Sequence, residues 1–266
     1  MNDHRHSLRT SMLLAALVMI GAGGCQSARN FSFFSTAQEV EIGKQVSTEV
    51  EQQNKLLADP AVVNYVSQVG EKVAAKATRQ DVDYAFKVID NPKEINAFAV
   101  PGGNIYVYSG LLTQMKTESE LAAVLGHEVA HISQRHSMKA LTRQATFELV
   151  LSVVLGENAP AWQSTLADIG GSLTFLKFSR ADETEADREG LSYMYNAGYD
   201  PQGMVDLLTM FTTLQQNEPS KIQVFLSSHP APQERVGEVK GLIKTGNLDG
   251  GIVNARQYEA AVKSIR

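Results

Sequence analysis

Apolar residues along this chain recur mostly at intervals of three and four, and only in one region do they give way to short β-rich runs. From residue 36 to about 57 the helical spacing comes with many Glu and Gln, which predicts a helix with a polar exposed face. Pro60 then stands where a helix tolerates proline best, in its first turn. Val62, Val66, Val69 and Val73 follow it in a single apolar stripe, so a second helix is predicted to bury that face.

The periodicity changes next. Residues 83–89 are β-rich and end at the Asn91-Pro92 breaker. Residues 97–100 and 105–108 are two more such runs, and the Pro101-Gly102-Gly103-Asn104 between them reads as a hairpin turn. Two or three antiparallel strands are therefore predicted. Thr117 followed by Glu120 is a capping box, and Leu121, Val124, Leu125, Glu128 and His131 carry helical spacing toward residue 139. Residues 147–155 predict a buried helix, too short to cross a bilayer, broken near Asn158-Ala159-Pro160. Residues 162–196 predict another helix, interrupted at Gly170-Gly171. Further helices are predicted over 202–216, after the Gly198-Tyr199-Asp200-Pro201 turn, and over 233–244, after Ser228-His229-Pro230. The fold class is α+β, mostly helical, with a small antiparallel β element beside the capped helix. No internal repeat or low-complexity block is visible.

Composition narrows the function classes. The 266 residues suffice for one domain with a real core, and 43% hydrophobic with 20% charged residues is ordinary for a globular protein. A formal net charge of -5 leaves no basic footprint, which argues against nucleic acid as a partner.

The N-terminus reads differently from the rest. Arg5 and Arg9 precede an apolar run over 12–20, then small residues, then Cys25. That order is a secretory signal peptide, and the run falls short of the roughly 20 apolar residues of a membrane span. Ala22-Gly23-Gly24-Cys25 resembles a bacterial lipobox, with Ala22 where Leu is usual. Cys25 is the sole cysteine, so its lipidation would leave the mature chain without a thiol in an oxidising compartment. Gln26, not Asp, follows it, and by the same resemblance this implies sorting to the outer membrane, facing the periplasm. The expected organisation is a signal peptide over 1–24, a lipidated cysteine and tether over 25–35 that carries Phe31, Phe33 and Phe34, and one folded domain over 36–266.

The chemistry is concentrated in His127-Glu128-Val129-Ala130-His131. Two imidazoles four residues apart on a helix lie on one face and can reach one metal ion. Zinc suits neutral imidazole nitrogens and needs no octahedral shell. Glu128 points off that face, where it can act as general base toward a metal-activated water and pass the proton to the leaving amine. A catalytic zinc ordinarily takes a third protein ligand. The acid-rich stretch 179–187 offers Asp182, Glu183, Glu185 and Asp187, and spacing alone does not choose among them. Glu183 and Asp187 share a helix face, so one can bind metal while the other supports a ligand.

Several segments in order resemble the zinc metallopeptidase family that includes HtpX, the CAAX prenyl proteases and periplasmic lipoprotein proteases of the BepA and LoiP type. They are Asn96-Ala97-Phe98-Ala99 with Pro101-Gly102-Gly103, Gly110-Leu111-Leu112, Leu125-Gly126 leading into the His127 motif, Ser179-Arg180 with Glu183, Ala186-Asp187, and His229-Pro230 with Arg235. The resemblance implies a gluzincin-like fold with one Zn2+, Glu183 as third ligand and Asp187 as its supporting acid. It also implies that the strand over 105–108 borders the active site, where a free edge would pair with an extended substrate. His229 is then either a fourth ligand or a transition-state donor, against the plainer reading of a residue packing a turn. Arg235 is assigned to Asp187, to substrate carbonyls or to a surface salt bridge; His136 is placed near the C-terminal end of its helix, with no role. The implied biology is clearance of unfolded or misassembled envelope proteins beside the outer-membrane assembly machinery. A lipoprotein chaperone or assembly factor with a closed, self-inhibited zinc site is the first alternative, and a structural lipoprotein with a degenerate site the second.

Overall fold

A computed structural model describes residue 32 and residues 34–144, 177–230 and 232–266. The signal segment, Cys25, Phe31 and Phe33, the 147–155 stretch, residues 162–176 and the Gly170-Gly171 interruption lie outside the described residues.

Helix α1 (Thr36–Gln53) starts at a Ser35–Gln38 capping box, and α2 (Pro60–Ala74) at Asp59, whose side chain accepts from Ala61 N–H with Pro60 in the first turn. The valine stripe of α2 is buried as its spacing requires, Val62, Val66 and Val73 completely. After the sheet and the short α3 (Ser109–Gln114) comes the central helix α4 (Glu118–Ser133), opened by the Thr117–Glu120 capping box. It ends six residues short of the predicted 139. Arg135 takes a left-handed φ of 55°, and a separate helix α5 (His136–Gln144) begins behind it. What holds this break is a charge cluster. Arg135 and Arg79 both donate to Glu39, whose side chain is buried on the inner side of α1 although the surrounding sequence reads as a solvated face.

Three strands, β1 (Ala85–Ile89), β2 (Ala97–Ala99) and β3 (Asn104–Tyr108), form one sheet in the order β1-β3-β2. The β2–β3 hairpin is antiparallel, but β1 runs parallel to β3, so the sheet is mixed rather than antiparallel throughout. Residues 90–103 carry the chain past the future place of β3, lay down β2 and turn back, which inserts β3 in the middle. Consequently β3 has no free edge, and the edge beside α4 belongs to β2. Phe86, Val88, Ile105 and Val107 join the main core with α2 and α4, while Phe98, Tyr106 and Tyr108 pack with Ile42 and Val46 of α1 and Met138 and Leu141 of α5. Burial on both faces explains why Ile105 through Tyr108 is continuously apolar instead of alternating.

Helix α6 (Arg180–Asn196) crosses α4 at a pair of glycines. A Cβ on Gly190 would stand 2.8 Å from the Gly126 carbonyl carbon, and one on Gly126 would stand 2.8 Å from the Gly190 oxygen. Only backbones without side chains approach this closely, and the contact lies one residue before His127. Gly190→Ala gains about 1 kcal/mol of helix propensity. Overpacking against backbone, which cannot swing away, costs about 1–3 kcal/mol. Net destabilisation and weakened metal binding are expected, read by thermal unfolding and zinc titration; a variant matching wild type in both would contradict this role of the crossing.

Helices α7 (Gln202–Asn217), α8 (Pro219–Ser228) and α9 (Pro232–Gly246) complete the layer over α6 and α4, with α10 (Ala255–Ala261) and a 3-10 turn (Lys263–Ile265) at the end. Of these, α8, α10 and the 3-10 turn correspond to no predicted element. The ten residues of α8 bury only Ile222, Phe225 and Ser228, and the seven of α10 only Tyr258, patterns too short to stand out. Among the described residues no helix is long and apolar enough to cross a membrane.

Candidate metal centre

On α4, His127 and His131 are one turn apart and their Nε2 atoms stand 3.0 Å from each other, both rings buried. The two other contributors arrive from different helices. Ser179 caps α6 through a reciprocal box with Asp182, which starts the helix so that Glu183 in its first turn faces α4. Glu183 Oε1 lies 3.4 Å from His131 Nε2, and Oε2 lies 3.6 Å from His127 Nε2. His229 is the residue that ends α8, where Pro230 forbids continuation. Its ring stacks on Phe225 at 4.7 Å and turns Nδ1 to within 3.0 Å of Glu183 Oε1 and 3.3 Å of His127 Nε2. The ligating atoms of His127, His131, Glu183 and His229 all lie within 4.8 Å of one another, and every one is buried.

These residues fit a zinc ion on their own chemistry. Several lone-pair donors converge in a space closed to solvent, and neutral imidazole plus carboxylate is a zinc donor set. Around them stand orphaned atoms. Glu128 is fully buried, yet among the described residues neither carboxylate oxygen has a hydrogen-bond partner, and His229 Nε2 has none either. Glu128 Oε1 is 3.8 Å from that Nε2. A buried carboxylate without donors costs several kcal/mol unless a cation or a polar substrate compensates it.

The charges behind the donors are arranged to keep them available. Arg235, buried on α9, donates through Nε and Nη2 to both oxygens of Asp187 at 2.6 Å and through Nη1 to Glu183 Oε2 at 2.6 Å. Asp187 in turn lies 3.0 Å from His127 Nδ1. Burial pushes the Glu183 carboxyl up, but His229 and Arg235 outweigh it and hold the carboxyl well below the usual range. Asp187 is likewise held low, its burial overcome by Arg235. Desolvation drives His131 well below the ordinary imidazole value, which leaves its ring neutral and able to ligate.

The structure thus brings together His127, Glu128, His131, Glu183 and His229, with Asp187 at the back of His127. Asp182 and Glu185, left open as ligands by spacing, face away: Asp182 caps α6 and Glu185 contacts His136. Two readings need correction. Arg235 is not a surface ion pair, because α9 carries it inward to two carboxylates. His136 does not lie near a helix C-terminus; it opens α5, fully buried, with Nδ1 2.9 Å from His131 Nδ1. Its spacing from His131 is five, off the face of a continuous helix, so nothing in the pattern could signal the contact before the break at Arg135 was known.

The chain is similar in sequence to known metallopeptidases. The model of Peptidase family M48 matches residues 60–243. The beta-barrel assembly-enhancing protease of Yersinia pestis is 32% identical over 217 residues, 77% of this chain and 44% of that protein. The mitochondrial metalloendopeptidase OMA1 of Schizosaccharomyces pombe is 34% identical over 178 residues, covering 66% of this chain and 51% of its own length. The metalloprotease YcaL of Escherichia coli is 31% identical over 158 residues, 58% and 60% of the two chains. The chain therefore spans about half the length of the curated relatives it matches.

Proposed function

Because this chain belongs to peptidase family M48, we propose that it hydrolyses peptide bonds at a zinc site made by His127, His131 and Glu183, with Glu128 as the general base. The observation that carries the reading is the convergence of four buried donors beside a buried carboxylate that has no hydrogen-bond partner among the described residues. Zinc held there supplies Lewis acidity, polarising a scissile carbonyl and making water a better nucleophile near neutral pH. Glu128 takes the proton that the attacking water gives up and delivers it to the amide nitrogen as the C–N bond breaks. Asp187 and Arg235 keep the His127 ring in its ligating orientation. Along the β2 edge, register with β3 leaves the peptide groups of Ala97 and Ala99 turned away from β3; Ala97 is buried, so an extended backbone would add at the partly exposed Ala99.

The substrates that fit are unfolded or misassembled proteins of the cell envelope, since a backbone-reading edge needs extended chain more than a particular sequence. The name of the Yersinia relative, a beta-barrel assembly-enhancing protease, supports a place beside outer-membrane assembly. Lipidation at Cys25 and an outer-membrane address rest on the lipobox resemblance. The test is direct: the purified chain is expected to carry one zinc and to cleave casein held unfolded. Chelation should abolish cleavage and added zinc restore it. Protein that cuts casein equally well after metal removal would overturn the assignment.

One observation favours a second state of the same enzyme. His229 Nδ1 sits among the other three donors, so with zinc bound this side chain would compete with water as a fourth ligand. In that state the protease is self-inhibited. His229→Ala is then expected to keep zinc and raise casein cleavage severalfold, measured as initial rate per bound zinc. A fall in rate with zinc retained would assign His229 to transition-state stabilisation instead.

A further inference from the structure

The outer nitrogens of the two α4 imidazoles are held in different ways. His127 Nδ1 faces a carboxylate, that of Asp187, whereas His131 Nδ1 faces another imidazole, that of His136, at 2.9 Å. His136 is itself held from behind, its Nε2 3.2 Å from Glu185 Oε2 and 3.9 Å from Asp182 Oδ1. Glu185 also lies 3.8 Å from Lys139 Nζ and 3.6 Å from Arg188 Nη2. Phe178 stacks on the His131 ring at 4.0 Å, so that ring is fixed in plane as well as in rotation.

On the outer side of His131, from Glu185 through His136 to His131 Nδ1, the contacts have only one consistent set of protons among neutral rings. A carboxylate accepts and does not donate, so the hydrogen of His136 must sit on Nε2. Its Nδ1 is then a lone pair. Two facing nitrogens at 2.9 Å bond only if one of them carries a hydrogen, so His131 must be protonated at Nδ1. That leaves the His131 Nε2 lone pair aimed at His127 Nε2, 3.0 Å away, and at Glu183 Oε1, 3.4 Å away, an all-acceptor cluster that a cation would compensate. We propose that His136, oriented by Glu185, is a positioning residue that locks His131 in the Nδ1–H tautomer and so presets its Nε2 as a metal ligand. The inference rests on the reading of His131 as a ligand. Its structural requirement is the turn at Arg135: in an unbroken helix a residue five places on lies about 140° round the axis and could not fold back under His131. A single helix, α6, thereby serves both sides of the ring, with Glu183 in front and Glu185 behind.

The test separates tautomer control from simple packing. His136→Phe keeps aromatic volume and removes the acceptor, while His136→Asn restores an acceptor oxygen near the place of Nδ1. Zinc affinity, measured by competition with a chelating dye, is expected to fall about 10–100-fold in His136→Phe and to recover most of that in His136→Asn. Metal-free wild type, in a long-range 1H–15N correlation of the histidine rings, should show His131 protonated at Nδ1. Equal zinc affinity in His136→Phe, equal losses in both variants, or a His131 ring protonated at Nε2 would each overturn the proposal. Should His136→Phe fail to fold, the wild-type ring spectrum still decides. Wild type that binds no zinc but shows the Nδ1–H tautomer would instead sink the metal-centre reading and leave the relay standing.

Discussion

Glu128→Gln is expected to retain zinc at wild-type stoichiometry while kcat/KM for unfolded casein falls by roughly 10²–10⁴-fold, the usual contribution of a positioned general base. The substitution is nearly isosteric and Glu128 is not itself one of the four converging donors, so metal content should not change. Stability should rise rather than fall, because a neutral amide in a fully buried place with no hydrogen bond from the described residues is less costly than a carboxylate there. This combination of more stable, metal-loaded and inactive is hard to produce by general damage. A Glu128→Gln enzyme working at near wild-type rate would remove the proton-transfer role from Glu128.

Arg235→Ala carries the second large effect, on folding rather than chemistry. The Arg235 guanidinium is buried and lies 2.6 Å from oxygens of both Glu183 and Asp187. Those carboxylates raise its own proton affinity above the ordinary arginine value in spite of burial. Deleting it strands two buried carboxylates, and breaking a buried ion pair from one side costs about 3–5 kcal/mol. For a domain of this size that corresponds to a melting temperature lower by on the order of 10 °C in metal-free protein. Saturating zinc should recover part of the loss, since the ion replaces some of the missing positive charge near Glu183. Arg235→Lys should fall between, because one ammonium cannot span both acids in the forked geometry. Unchanged unfolding of Arg235→Ala would mean that the carboxylates are compensated elsewhere.

Local signals explain most of what the chain disclosed before it folded. Capping at Thr117–Glu120, proline in the first turn of α2 and the valine stripe each act within a turn or two of helix, so they are legible from neighbouring residues. The hairpin turn at 101–104 is of the same kind. The parallel pairing of β1 with β3 is not, since strand order depends on where residues 90–103 travel and no residue in either strand encodes it. Glu39 misled for a related reason: an acid on a Glu-rich helix reads as solvated until two arginines from elsewhere close over it. Gly126 and Gly190 are each unremarkable in isolation, and their importance exists only as a contact between two helices.

The metal-binding face of α4 was determined by sequence alone, because residues four apart on any helix must share a face and His127 and His131 can do nothing else. Helix composition and caps likewise follow from short-range energetics that survive outside the fold. Which acid meets those histidines, which way His229 turns, and that His136 reaches back to His131 were decided only by tertiary structure. The reason is physical: each of these contacts joins atoms brought together by a helix crossing, a helix end or a left-handed turn. Small changes in those junctions move a side chain by more than the length of the bond it has to make.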